Sequence, residues 1–200
     1  MHQDTIGTVM ITQEQINAKA AEIGAQIEKD FAGEEVVLIG ILRGAVLWMG
    51  DIMKNVNLDM IIDFMAVSSY GSSTKSSGVV KINKDLDTNI SGKNVIIVED
   101  IVDSGTTLNY LKEYLQNHDA KCVKICTLLD KPEGRRVNID VDYIGFTVDD
   151  RFIVGYGLDF DQKYRNLPYI TYLEQEGFLP VKINGQRKDQ KLTVRLDISR

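Results

Sequence analysis

The run Val95-Ile96-Ile97-Val98-Glu99-Asp100-Ile101-Val102-Asp103-Ser104-Gly105-Thr106-Thr107 concentrates more chemistry than any other stretch of the chain. Four apolar β-formers end in two adjacent carboxylates. A third carboxylate follows at Asp103, and then a small hydroxyl- and glycine-rich turn leads into a helical pattern at Leu108, Leu111 and Leu115. A buried parallel strand that ends in a loop and a helix N-terminus is where open α/β sheets bind ligands. Backbone N–H groups at Ser104 to Thr107 can meet a phosphate there, assisted by the helix dipole. The carboxylates cannot hold phosphate, so they face hydroxyls, a metal ion or a protonated base. Phosphate and diol recognition in one loop reads as a ribose 5-phosphate site. Asp/Gly/Ser-rich turns after strands are common, and a lone Asp-Ser-Gly-Thr-Thr is more often a capped helix start than a site. Paired acids behind four apolar residues, with a third acid three positions on, are much rarer.

The elements that must position this loop follow from periodicity. Thr12 begins a capping-box pattern with Gln15, and Ile16, Ala20, Ile23, Ile27 and Phe31 mark one helical face that Gly33 ends. Val36 to Leu42 reads as a buried strand. Arg43-Gly44 follows, then a second helix through Val46, Met49, Ile52, Met53 and Val56. Further strands are predicted at Met60 to Val67, Val79 to Ile82 and Val123 to Leu129, with a helix from about Thr106 to Asn117. Strands alternating with helices imply an α/β fold, a mostly parallel twisted sheet with helices on both faces. Ser68 to Gly78 is a small-residue loop, either a lid or a plain hairpin connection.

Composition narrows the function classes. Two hundred residues, 44% hydrophobic and 26% charged, suit one globular domain. A formal net charge of −6 disfavours a nucleic-acid surface. No apolar run approaches membrane-spanning length, and Met1 to Met10 lacks the regions of a signal peptide, so a cytoplasmic protein is expected. Cys122 and Cys126, the only cysteines, lie in one predicted strand, roughly 13 Å apart and too far for a disulfide. With only His2 and His118, neither a histidine metal site nor a Ser-His triad can be assembled.

A second block, Asp149-Asp150-Arg151-Phe152-Ile153-Val154-Gly155-Tyr156-Gly157-Leu158-Asp159, sets an aromatic before glycines and an acid, which suits stacking on a flat base. Lys131, after Leu128-Leu129-Asp130, falls at a strand end beside the expected place of Asp103, where an ammonium could donate to a carbonyl oxygen. A surface lysine in a turn is the bland alternative. Arg135 and Arg136 read as solvated charge with at most a supporting role.

The acid loop resembles the ribose-phosphate signature of the type I phosphoribosyltransferases, and its wording, VEDIVDSGTT, is similar to the hypoxanthine-guanine branch. The resemblance runs from about Thr12 to Tyr172 and takes in Arg43-Gly44, Ser69-Tyr70, Lys131 and the Phe152-to-Arg165 block. It implies that fold with a small purine-binding hood, drawn from the N-terminal and 150–176 segments of a 1–176 domain. It implies transfer of a 6-oxopurine onto 5-phosphoribosyl pyrophosphate, with Mg²⁺. Ser104, Gly105, Thr106 and Thr107 would bind the 5-phosphate, and Glu99 and Asp100 the ribose hydroxyls, directly or through the metal. Asp103 would be the catalytic acid–base group. Arg43 and Gly44 would form the pyrophosphate loop, with a cis peptide between Leu42 and Arg43, and Arg165 would hold the leaving group. Ser69 and Tyr70 would belong to a closing lid. Lys131 would donate to the purine 6-oxygen, Phe152 stack on the base, the Ile153 backbone meet its exocyclic edge, and Asp159 join Glu99 and Asp100 at the metal. Substrates are therefore small molecules, with no nucleic acid or membrane partner and a homodimer or homotetramer as the assembly.

Other readings compete. Xanthine, adenine or orotate specificity is possible, although Lys131 would waste its donors on a 6-amino group. A non-catalytic regulator on the same fold would tend to lose Asp103 or add a nucleic-acid domain. A receiver domain or dehalogenase-type phosphatase would leave the Phe152-to-Asp159 block unexplained. The stretch 177–200 departs from the family pattern. Its last twenty residues carry net charge +4 and could form a tail, a hairpin or a non-native appendage.

Overall fold

A computed structural model describes residues 5–69 and 80–174. Tyr70, most of the candidate lid loop and the 177–200 extension lie outside them.

The central sheet has six strands in the order β4-β3-β2-β5-β6-β7. They are β2 (Val36–Leu42), β3 (Met60–Ser69), β4 (Val80–Lys84), β5 (Asn94–Val102), β6 (Cys122–Asp130) and β7 (Tyr143–Thr147). Every pairing is parallel except β3 with β4. Residues 36–41 of β2 and 94–99 of β5 are buried without interruption, which is what a strand covered on both faces requires. Helices α1 (Gln13–Asp30) and α2 (Val46–Lys54) cover one face, packing Ile16, Ile23, Ile27, Trp48 and Met49 against Leu38, Ile96 and Val98. Helix α3 (Thr106–Gln116) covers the other, setting Leu108, Leu111 and Leu115 against Val37, Val95 and Ile97. The predicted doubly covered sheet is present, and so is the capping box, with Thr12 and Gln15 bonded reciprocally.

A second sheet of three strands lies in the order β1-β9-β8, made of β1 (Thr5–Ile11), β8 (Ile153–Val154) and β9 (Ile170–Glu174). It joins the two ends of the described chain antiparallel. The sequence reading placed no strand at β1, β7 or β9. It also stopped β5 at the acids, whereas the ladder with β6 continues through Glu99↔Thr127 and Val102↔Asp130. The carboxylate pair therefore sits within the last residues of the strand, where backbone pairing fixes it. Cys122 and Cys126 are unpaired thiols on β6, and burial pushes the Cys126 thiol up to about 12.

The β3–β4 edge is pinned by one buried acid. Asp63 accepts from the backbone N–H groups of Phe64 (2.7 Å), Asp87 (2.9 Å) and Thr88 (2.8 Å). Burial opposes its ionisation, but these donors prevail and its carboxyl titrates below the ordinary value. A lowered folded pKa gives stability that is fully present above the unfolded value of about 4 and is lost as pH falls through the folded one. Asp63→Asn should therefore lower stability at pH 7 by about 1–3 kcal/mol for the donors left unmatched, seen as a lower thermal midpoint. The gap from the parent should narrow in acid. Equal midpoints at neutral pH would show the clamp to be idle.

Candidate active site

The C-terminal ends of β2, β3 and β5 open into a cleft of about 500 Å³ lined by Arg43, Gly44, Ser68, Glu99 to Gly105, Thr107, Asp159 and Arg165. The location is dictated by topology: parallel strands present their carboxyl ends together, and crossover loops gather there. Below the cleft, α3 starts at Thr106 behind Gly105, whose φ of +76° suits glycine, with the Thr106 N–H 3.4 Å from Ser104 Oγ. The first N–H groups of such a helix have no intrahelical partner, so an anion is the natural occupant.

Glu99 and Asp100 are forced together by their adjacency on β5. Burial, and then the charge of Asp100, hold Glu99 well above the usual carboxylate range. Asp100 is raised as well, mainly by burial, against which its bond from the Ile101 N–H works. Apart from the charge of Arg165 acting on Asp100, such a pair is short of counter-charge, a poise suited to a cationic sugar or a cation. Gly44 makes room for it, since a Cβ at that position would fall onto the Asp100 carboxylate. The preceding Leu42–Arg43 peptide is cis, as the resemblance implied.

The 155–165 segment closes the same end of the cleft. Arg165 bonds the Gly157 carbonyl (2.7 Å) and pairs with Asp159 (2.6 Å), while Gln162 N–H also reaches Asp159 (2.8 Å). Arg43 reaches Gln162 Oε1 at 3.0 Å, tying the loop after β2 to this segment. Asp159 is thus engaged by protein donors. Among the described residues no three His, Cys, Asp or Glu side chains converge as a metal cage; of the expected metal residues, Glu99 and Asp100 form a carboxylate pair and Asp159 is bound to Arg165. An oxygen-only pair of this kind fits a Mg²⁺ ion that takes its remaining ligands from substrate and water.

On the far side, Lys131 directly follows β6 and its N–H bonds Val102 O at 2.9 Å, so it does flank Asp103. It is buried, with its ammonium 3.0 Å from Asp150. Asp103 itself is exposed, and its carboxylate lies where a Cβ of Gly134 would stand. Phe152 is 45% exposed, with its ring edge-on to Phe160 at 5.3 Å, while Ile153 is buried in β8. Lys131, Phe152 and Ile153 are not part of the 500 Å³ lining. Thr106 also lies behind the lining. Ser69 ends β3 beside it, and Tyr70 is outside the described residues.

Arg135 is the residue that sequence reasoning misjudged. It is not solvated charge: its guanidinium donates to the carbonyls of both Val102 and Asp103 at 2.6 Å and pairs with the buried carboxylate of Asp130. The Arg136 N–H donates to Ser104 O at 2.9 Å, so consecutive residues brace the acid loop. The signal available in sequence was Asp130, an acid closing an apolar strand, five residues before an arginine.

A phosphoribosyl transferase domain model matches residues 10–161. Among curated proteins, the hypoxanthine-guanine phosphoribosyltransferase of Streptococcus thermophilus is 49% identical over 176 residues, covering 88% of this chain and 98% of its own. The Bacillus subtilis enzyme of the same name is 49% identical over 174 residues, covering 87% and 97%. The crystal structure of a hypoxanthine-guanine phosphoribosyltransferase from Bacillus anthracis superposes with a TM-score of 0.81 at 50% identity, covering 84% of this chain and 98% of that one.

Arg135→Gln should leave Asp130 buried without its counter-charge and two loop carbonyls without donors, lowering stability by about 3–5 kcal/mol. Arg135→Lys should recover only part, because a point charge cannot fork to three acceptors. Urea unfolding midpoints check this, and an unshifted Arg135→Gln midpoint would show that the brace carries no load.

Proposed function

This chain belongs to the phosphoribosyl transferase family, and from that premise we propose how its residues divide the work of the hypoxanthine-guanine branch. The protein is a pentosyltransferase of purine salvage. It converts hypoxanthine and guanine, with 5-phosphoribosyl 1-pyrophosphate, to IMP and GMP with release of pyrophosphate. The observation that carries the assignment of roles is the carboxylate pair at the end of β5, one loop away from the N-terminus of α3.

In this reading the turn Ser104 to Thr107 seats the 5-phosphate, using N–H groups and helix dipole as fixed positive charge. Glu99 and Asp100 hold the ribose 2- and 3-hydroxyls. As the bond to pyrophosphate lengthens, the sugar carbon becomes cationic, and a carboxylate pair short of counter-charge stabilises that state more than the neutral ground state. Arg43, the loop amides at Gly44 and the Arg165 guanidinium receive the leaving pyrophosphate. Mg²⁺, held by substrate oxygens with Glu99 and Asp100, would neutralise charge on the pyrophosphate. Phe152 offers an open ring face to the purine, Ile153 backbone its exocyclic edge, and Lys131 a donor to its 6-oxygen. Asp103, exposed beside Lys131, takes or shares the N7 proton while N9 attacks. Ser69 and Tyr70 close over the sugar and keep water from the cation. Asp159 orients Arg165 and would join Glu99 and Asp100 at the metal.

We read the three-stranded sheet as the hood over the base and 177–200 as an appended segment. The expected setting is the cytoplasm. Among the described residues no helix is long and apolar enough to cross a membrane. The assembly we favour is a homodimer or homotetramer, supported by the exposed Val46, Leu47 and Met53 along α2, and sedimentation of the full chain decides it.

The test is pyrophosphate release with each free base, with and without Mg²⁺. Hypoxanthine and guanine should both give nucleotide, and only with the metal. No product from either, alongside turnover of adenine or orotate, would overturn the assignment. Asp103→Asn, nearly isosteric, should leave nucleotide affinity in place and lower kcat by about 10²–10⁴-fold. Parental turnover across the neutral range would reduce Asp103 to a structural cap.

A further inference from the structure

Lys131 presents a problem that the reaction alone does not solve. Its side chain is buried at the end of β6, and a buried ammonium is costly unless a charged partner and hydrogen bonds replace its hydration. The partner is Asp150, whose Oδ1 lies 3.0 Å from Nζ while the carboxylate remains largely in water. The two residues belong to different parts of the fold: Lys131 closes a strand of the central sheet, and Asp150 stands two residues before Phe152, ahead of β8 in the smaller sheet.

Among the described residues, the cation paired with Asp150 is Lys131. The adjacent cation, Arg151, is taken up elsewhere, with Nε 2.8 Å from Asp149 and the guanidinium 4.6 Å from the Tyr172 ring centre. Phe152 is fixed from behind, its carbonyl accepting from the Leu173 N–H at 2.9 Å. The chain from Asp150 to Phe152 therefore ties the donor side chain of Lys131 to the exposed ring of Phe152 through two intervening peptide units.

We propose that Asp150 is a positioning residue that holds the Lys131 ammonium in register with the Phe152 ring, and so sets selectivity for a 6-oxo over a 6-amino purine. The inference rests on the substrate reading above and deepens it. An ammonium has three donors; Asp150 takes one and fixes the axis about which the others point. A charged donor held in place favours a carbonyl oxygen and opposes an amino group, which would set donor against donor and leave both unmatched. Without Asp150 the ammonium is free to swing toward Asp103 or out to water, and the base loses its directional contact while the phosphoribosyl half of the site is untouched.

The experiment is steady-state kinetics of the full chain with Asp150→Ala, Asp150→Asn and Asp150→Glu. Hypoxanthine, guanine and adenine serve as bases, and thermal midpoints are measured alongside. Asp150→Ala should raise KM for hypoxanthine and guanine about tenfold or more, the loss of one aligned charge-assisted bond. Its KM for phosphoribosyl pyrophosphate should stay within about twofold, and the ratio of kcat/KM for hypoxanthine over adenine should fall. Asp150→Glu should restore much of the base KM, and Asp150→Asn should lie between. An unmoved base KM in Asp150→Ala overturns the inference and leaves the function intact. Parallel rises in both KM values with a fall in the midpoint overturn it too, by showing a structural tie only. A parent enzyme that turns over no 6-oxopurine overturns the substrate reading, and the inference falls with it.

Discussion

Two carboxylates side by side near the end of a buried strand lose hydration and repel one another, and a fold that keeps them there must give up stability at that point. Burial raises both Glu99 and Asp100, and at Asp100 the charge of Arg165 works against it. What keeps the pair in place is the ladder around it: β5 runs between β2 and β6 in parallel register, so the backbone has no freedom to turn the acids outward. The Arg165 guanidinium is bound to Asp159 and Gly157 O rather than to the pair. The electrostatic deficit is therefore only partly relieved by the protein. In the proposed mechanism a cationic sugar supplies the positive charge that this pair lacks.

Around that deficit the molecule is built as two supports meeting across a cleft. From below, the segment after β6 holds the acid loop by its carbonyls: Lys131 N–H to Val102, Arg135 to Val102 and Asp103, Arg136 N–H to Ser104. From above, the loop after β2 and the 155–165 turn lock through Arg43–Gln162 and Arg165–Gly157. The side chains proposed to touch substrate are thus carried on backbone that other side chains have already immobilised, an arrangement that needs little reorganisation when charge develops.

The acid loop was legible in sequence because its groups are contiguous: apolar run, acids, glycine turn and helix start come from one short segment, and each has a local cause. The capping box at Thr12 and the strand Val36–Leu42 were legible for the same reason. Illegible were contacts between distant segments. Asp150 with Lys131 and Asp130 with Arg135 are defined by where loops land, and an acid or base in a loop looks solvated until its partner arrives. The strands β1 and β9 escaped because register shifts at Ile6/Val9 and Val9/Ile11 break the alternation that marks a strand, leaving Val9 at 49% exposure. The bonds that Asp159 makes to Arg165 and the Gln162 N–H were illegible too, since spacing along a chain does not reveal them.

The contact between Gly44, Asp100 and Gly157 has a consequence for how the enzyme can change. A side chain at Gly44 would strike the Asp100 carboxylate, and one at Gly157 would strike the Gly44 carbonyl. These positions have no tolerated drift, since each substitution pushes the next member of the stack. The 149–152 loop has room, being partly open to water. Directed evolution toward new bases would then find its viable library at the purine end of the cleft, while the pyrophosphate end stays frozen. On the proposed assignment, the base end of the site can vary while the sugar-donor end is held by its own packing.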